Sequence, residues 1–289
     1  MSRDINGATV LTAIFGDPVE HSKSPAMHNA AYAALAMNRA YVAFRVRREN
    51  FAAALRAIPA LNIAGVNLTV PHKESAARLI RNLSAEARLL GAVNCVINRR
   101  GDLYGDNTDA RGLERDLREL KSHLRGGLAI VIGAGGAAAA AVLACQRIGA
   151  REIAICNRTI ARARALKKRM TRPRASAMLT FGLDALTDAE LLPRARIVVN
   201  ATPMGLTTPQ FASLDYDATP TDCLFYDLIY AAQATPFLRP AIALKRRVAD
   251  GAGMLINQGE LAFKLFNRIA PPAGVMKAAL LESLGRNHL

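Results

Sequence analysis

Lys73 closes the run Gly65-Val-Asn-Leu-Thr-Val-Pro-His-Lys73, and Gly105-Asp-Asn-Thr-Asp109 follows within forty residues. A lysine and an aspartate make a proton-handling pair, one as donor and the other as its charged partner. Further on, Val131-Ile-Gly-Ala-Gly-Gly-Ala-Ala138 reads as a strand running into a glycine turn and a helix. A proton donor in one segment and a dinucleotide cradle in another are the two halves of a carbonyl-reducing dehydrogenase.

Around the lysine, polar residues recur at period two. Ser22 and Ser24 flank Lys23 just before a helix, and Asn67 and Thr69 end a strand. In extended backbone such pairs face one side. Two hydroxyls at a helix start suit a carboxylate, and capping of that helix by Ser24 is the plainer alternative. Asn94 stands inside the apolar run 92–97, where a buried amide needs partners. Lys73 is expected in the first turn of a helix opened by Pro71. A cation there is disfavoured by about 0.3–1 kcal/mol, which eases release of its proton. His72 competes for the proton-transfer role one residue around the helix.

Gly133-Ala134-Gly135-Gly136-Ala137-Ala138 matches the G-x-G-x-x-G/A pattern. Gly133 permits the turn, Gly135 lets backbone approach a pyrophosphate, and Ala138 lets helix and strand pack closely. The phosphates then meet the N–H groups of the helix start. An NAD site carries a carboxylate about twenty residues on, at the end of the next strand. Here that strand ends in Ile155-Cys-Asn157-Arg158-Thr159. Arg158 and Arg162 are spaced to share one helix face, and guanidinium groups suit a 2′-phosphate. These residues favour NADP, although the neighbouring Arg164, Lys167, Lys168 and Arg169 read as a solvated face.

The elements that carry these residues alternate. Strands are expected at 10–15, 41–46, 63–70 and 92–97, with helices at 25–37, 50–58, after Pro71 and after Ser84. A turn at Gly101-Asp102 leads into Leu103-Tyr104 as an antiparallel hairpin. This pattern predicts βαβ units and a mainly parallel sheet. A second series follows, with strands at 128–132, 153–156, 177–181, 197–200, 224–229 and 248–249 and an arginine-rich helix over 157–175. Six strands with helices on both faces is the doubly wound nucleotide-binding plan. The expected fold class is therefore α/β in two domains. Residues 1–110 form an N-terminal α/β substrate domain, completed by helices within 250–289. Residues 111–249 form a Rossmann-type doubly wound cofactor domain. The Thr- and Pro-rich stretch 200–215 is expected to form a flap near the cofactor.

Bulk properties narrow the alternatives. The chain has 289 residues, 51% of them hydrophobic, enough for about two folded domains without staples. Cys95, Cys145, Cys156 and Cys223 form no CxxC pair and read as reduced packing residues, which suits the cytoplasm. The N-terminus has no apolar segment of signal-peptide type. Residues 126–145 carry no charge, yet Gly133, Gly135 and Gly136 divide them into a strand, a turn and a helix. No membrane span is expected. The net charge of +15 attracts polyanions without identifying one, and at 5% aromatics no nucleic-acid motif accompanies it. The expected partner is a small-molecule substrate, with no nucleic acid, no membrane and no metal, on a monomer or homodimer.

Ser22-Lys-Ser24-Pro25, Asn67-Leu-Thr69-Val-Pro-His-Lys73, Gly91-Ala-Val-Asn94, Gly105-Asp-Asn-Thr-Asp109, the Gly133 turn, Asn157-Arg158-Thr159, Asn200-Ala-Thr-Pro-Met-Gly205 and Asp250-Gly-Ala-Gly-Met-Leu-Ile-Asn-Gln258 occur in this order. Together they span almost the whole chain, which resembles the shikimate dehydrogenase family. The resemblance implies NADPH-dependent reduction of 3-dehydroshikimate to shikimate on the way to chorismate. It implies substrate contacts from Ser22, Ser24, Asn67, Thr69, Lys73, Asn94, Asp109, Tyr230 and Gln258, with Lys73 and Asp109 as the catalytic pair. It also implies cofactor contacts from Gly133, Ala134, Gly135, Gly136, Ala137, Asn157, Arg158, Thr159, Arg162, Leu228 and Gly251. Two positions depart from the family's common pattern. Ala252 replaces a larger residue and Leu228 a methionine, changes that touch substrate fit rather than the reaction. The competing readings are a quinate/shikimate dehydrogenase using NAD and a non-catalytic relative that binds nucleotide or nucleic acid.

Overall fold

The computed structural model describes residues 5–122, 124, 126–172, 175–205 and 210–288. The chain divides into two compact units. One runs through Thr108 and takes up again at Ile256; the other is Asp109–Leu255. The centre of the expected flap, 206–209, lies outside the described residues.

The first unit runs β1 (Val10–Gly16), α1 (Ser24–Ala34), β2 (Arg39–Arg45), α2 (Phe51–Ala60), β3 (Gly65–Leu68), α3 (Lys73–Leu79), β4 (Asn82–Leu83), α4 (Ala85–Leu90), β5 (Cys95–Arg99) and β6 (Asp102–Asp106). The second runs α5 (Asp109–Glu119), β7 (Leu128–Ile132), α6 (Gly136–Arg147), β8 (Glu152–Cys156), α7 (Ile160–Met170), β9 (Ala177–Phe181), β10 (Ala195–Asn200), β11 (Leu224–Asp227), α8 (Leu238–Ala243) and β12 (Arg247–Ala249). The division between units falls within α9 (Ala252–Asn267), and α10 (Val275–Leu284) follows.

The first sheet has the order β2-β1-β3-β5-β6-β4. β2, β1 and β3 are parallel, while β5 is antiparallel to both β3 and β6. The expected hairpin is present, but its turn is Arg100-Gly101, because Asp102 already pairs with Arg99. Both turn residues have positive φ, +56° and +100°, as a two-residue turn matched to strand twist requires. Ile58, Val66, Leu68 and Val96 fill the core beneath this sheet.

The second sheet has the order β12-β11-β10-β7-β8-β9 and is parallel throughout. Counting from β7, this is the doubly wound order, with the reversal between β7 and β10. The uncharged stretch resolves into β7 and α6. Every side chain from Ala138 to Cys145 is buried, and the run of alanines lets α6 lie close to the strands. Among the described residues no helix is long and apolar enough to cross a membrane. On the opposite side, Tyr216, Phe225 and Phe237 form a buried aromatic cluster.

Two local expectations change. α1 begins at Ser24 with Lys23 at its cap, so Ser24 is not the capping residue. Ser84 does cap α4, its Oγ accepting from Ala87 N at 3.0 Å. The arginine-rich helix is confined to Ile160–Met170, which leaves Arg158 in the turn before it. Helix spacing therefore does not relate Arg158 to Arg162.

Candidate active site

In the first unit the polar residues gather where β1 and β3 end. β5 runs the other way, so its first residue lies at the same edge: Cys95 pairs with both Asn67 and Asp106. Asn94, one residue earlier, is 2% exposed and satisfies its amide almost entirely within this cluster. Its Oδ1 accepts from Thr108 N at 2.8 Å, and its Nδ2 donates to Thr108 Oγ1 at 2.9 Å. A longer contact of 3.4 Å reaches Gln258 Oε1. The backbone carbonyl of Asn94 accepts from Leu68 N at 2.8 Å and from Asn67 Nδ2 at 3.1 Å. An amide in an apolar run is thus the knot joining β3, β5, the 106–108 segment and α9.

Lys73 is the first residue of α3, with His72 at the cap. Its carbonyl accepts from Val93 N at 2.9 Å, which fixes the lysine's backbone beside Asn94. His72 does not compete for proton transfer. Its Nε2 bonds Val46 O at 2.7 Å, and its ring stacks on Phe51 with centroids 4.4 Å apart. Burial lowers its pKa, so it is a neutral packing group. Thr69 is half-buried after β3, its N–H bonded to Phe15 O at 3.0 Å. Ser22 Oγ accepts from Ser24 N at 3.3 Å, which places the two serines side by side.

Asp109 follows Thr108 directly and opens α5, where a carboxylate is favoured by the exposed N–H groups. It is 3% exposed. Two turns on, Asp116 accepts a short hydrogen bond from Tyr226 of β11, which anchors α5 to the second sheet.

The second unit holds its polar groups at the topological reversal. Gly133 follows β7 with φ +120°, and a Cβ there would lie 2.9 Å from Ala201 O, just after β10. Only glycine fits that close approach. Gly135, at the α6 cap, has no atom within 4 Å of where a Cβ would sit. Open backbone at a helix start, beside a turn closed by glycine, is a cradle for a pyrophosphate. We expect Gly133→Ala to lose stability by about 1–3 kcal/mol and to lose dinucleotide affinity. Thermal melts with and without NADP check both effects.

Asn157, at the end of β8, donates from Nδ2 to Thr159 O at 2.9 Å and shapes the turn into α7. Arg158, Thr159 and Arg162 are exposed around the start of α7, and the first turn of that helix has no acidic residue. A dianionic 2′-phosphate fits these groups, and a ribose-binding carboxylate is lacking at this strand end. Leu228 and Gly251 meet through backbone: a Cβ on Gly251 would clash with Leu228 O, and Gly251 N bonds Ile229 O at 3.1 Å. Tyr230 follows two residues after Leu228 and is half-buried.

Asp227 gives this segment its shape, and the sequence reading passed over it. It is fully buried and accepts from Asn200 Nδ2 at 2.9 Å, Ile229 N at 3.0 Å and Thr235 Oγ1 at 2.5 Å. Burial pushes its pKa up to about 6 against those hydrogen bonds. Asn200 and Asp227 pair in register at the C-terminal ends of β10 and β11. Two polar residues ending adjacent buried strands were the available signal.

Comparison with known proteins agrees with this geometry. Residues 14–96 match the shikimate dehydrogenase substrate-binding domain, 116–208 the shikimate/quinate 5-dehydrogenase domain and 251–281 the shikimate 5′-dehydrogenase C-terminal domain. A shikimate dehydrogenase (NADP(+)) from Geobacter sp. (strain M21) is 39% identical over 97% of each chain. The Thermus thermophilus shikimate 5-dehydrogenase, solved with NADP(H) and shikimate, is 35% identical with a TM-score of 0.84, covering 96% of this chain and all of that one. The quinate dehydrogenase of Corynebacterium glutamicum, solved with NAD, shares 28% identity and a TM-score of 0.84 over 95% of this chain and 99% of its own.

Proposed function

This chain belongs to the shikimate dehydrogenase family, and from that membership we propose how its own residues carry the reaction. It is an NADP-dependent oxidoreductase that reversibly reduces 3-dehydroshikimate to shikimate, a step of aromatic amino acid biosynthesis through chorismate. NADPH, when bound, supplies the hydride. Gly133 to Ala137 hold its pyrophosphate, Asn157, Arg158, Thr159 and Arg162 its adenosine phosphate, and Leu228 and Gly251 border the nicotinamide end.

Lys73 donates the proton that the carbonyl oxygen takes up as it becomes a hydroxyl. Asp109 accepts a hydrogen bond from that hydroxyl once it has formed. Ser22 and Ser24 take the substrate carboxylate, while Asn67, Thr69, Asn94, Tyr230 and Gln258 hold the ring hydroxyls. The Asn94 knot is the observation that carries this reading. One buried residue bonds Thr108, before the aspartate, and Gln258 through its side chain and Asn67 through its carbonyl, and it follows Val93, whose N–H bonds the lysine's carbonyl. Such over-determination is what a preorganised site requires.

A quinate-directed, NAD-using enzyme is the nearest rival. The arginines at the start of α7 favour NADP, and a second serine at Ser24, where a bulkier residue could stand, favours shikimate. One spectrophotometric assay crossing shikimate and quinate with NADP and NAD tests both choices. The expected best pair is shikimate with NADP; quinate with NAD as the best pair would overturn the assignment. An idle relative that binds nucleotide or nucleic acid would show no shikimate-dependent signal at all.

Arg158→Ser is expected to raise KM for NADP by roughly 10–100-fold, the loss of about 1.5–3 kcal/mol of charge-assisted bonding. KM for NAD should hardly change, since NAD carries no 2′-phosphate. All four cysteines are buried thiols, and burial pushes Cys145, Cys156 and Cys223 up to about 12. Inert packing thiols support a cytoplasmic setting.

A further inference from the structure

Tyr41 belongs to the edge strand β2 and reads from sequence only as a strand residue. It is 1% exposed, and its surroundings hold it unusually firmly. The Asn29 side chain clamps its backbone from both directions, donating to Tyr41 O and accepting from Tyr41 N, each at 2.8 Å. His28 stacks on its ring with centroids 4.2 Å apart and planes inclined by 17°. Burial pushes the His28 pKa down to about 3, so this partner stays an uncharged ring at neutral pH. His28 and Asn29 both come from α1, which holds this tyrosine by its ring and by its backbone.

The hydroxyl of Tyr41 donates to Asn67 Oδ1 at 2.8 Å. The direction of this bond is forced. Asn67 must turn its nitrogen toward Asn94 O, which can only accept, 3.1 Å away. The amide oxygen then faces Tyr41, so the phenol's single proton goes there. One amide hydrogen of Asn67 is left over as a donor.

We propose that Tyr41 is a positioning residue for the substrate, fixing which group Asn67 presents to it. This rests on the proposed function, in which that asparagine holds shikimate. The phenol touches no substrate itself. It acts by excluding the flipped Asn67 amide.

Tyr41→Phe keeps the ring and its stacking on His28 and removes only the hydroxyl. We expect KM for shikimate to rise about tenfold, because a buried amide oxygen loses its donor, while KM for NADP stays within about twofold. The split is the informative readout, since a general loss of structure would move both. In the double variant Tyr41→Phe/Asn67→Ala, KM for shikimate should equal that of Asn67→Ala alone, because the tyrosine acts through the asparagine. An unchanged shikimate KM in Tyr41→Phe, a parallel rise in both KM values, or additive effects in the double variant would overturn the proposal. The wild-type enzyme's own shikimate- and NADP-dependent activity separately tests the function on which it rests.

Discussion

Lys73→Ala is expected to lower kcat by about 10²–10⁴-fold, the usual worth of a positioned proton donor. KM for shikimate should change far less, because the hydrogen bonds around Asn94 that shape the site run through the lysine's backbone carbonyl. Val93 N bonds the Lys73 carbonyl and Thr108 bonds Asn94, and alanine preserves both sets of bonds. Alanine also continues the first turn of α3 without a conformational cost. The neighbouring His72 offers no substitute, since its ring is stacked on Phe51 and bonded to Val46 O. A fall in kcat with KM preserved identifies an interaction made in the transition state rather than in binding. Steady-state kinetics with shikimate and NADP, together with a thermal melt, separate this from loss of fold.

Asp109→Asn is the second large effect. The carboxylate opens α5 in a buried position, and asparagine has nearly the same shape and remains a tolerated helix-start residue. On the proposed mechanism, what is lost is the carboxylate partner of Lys73 and a hydrogen-bond acceptor for the substrate hydroxyl. We expect kcat to fall by at least roughly 10²-fold. The informative comparison is the double variant Lys73→Ala/Asp109→Asn. Groups that act as one unit are non-additive, so the double should be little slower than the weaker of the two singles. Multiplicative losses would mean that the two side chains act independently.

Much of this was legible because certain residues leave few choices. Gly133 and Gly135, set between a β-branched run and an alanine run, permitted only a strand, a turn and a helix. The structure places them at the reversal of a parallel sheet. Lys73 after Pro71 was readable as the start of a helix, although the helix begins two residues later than the proline. The uncharged stretch 126–145 was readable as a strand and a helix rather than a membrane span for the same glycine reasons.

Other features depended on partners distant in sequence. Tyr41 looks like any aromatic in an alternating strand, and its role emerges only because Asn67 lies 26 residues away across the sheet. Asn94 stood out as polar in an apolar run, but its partners Thr108 and Gln258 are separated from it by 14 and 164 residues. Ser24 satisfied the local rule for a helix cap, yet the helix begins one residue earlier, with Ser24 as its first residue and its N–H bonded to Ser22 Oγ. Arg158 and Arg162 matched a helical spacing, yet the helix starts only at Ile160, because Asn157 bonds Thr159 O and holds the preceding turn open. In each case local propensity was sound, and a longer-range bond or a turn decided the outcome.

The most direct test is a single turnover of enzyme-bound NADPH with 3-dehydroshikimate, comparing wild type with Lys73→Ala, each with and without an added primary alkylammonium. Loss of reduced-nicotinamide absorbance should be fast in wild type, collapse in the variant and partly recover when the external amine is present. A variant that turns over at the wild-type rate without the amine would contradict the claim that Lys73 delivers the proton.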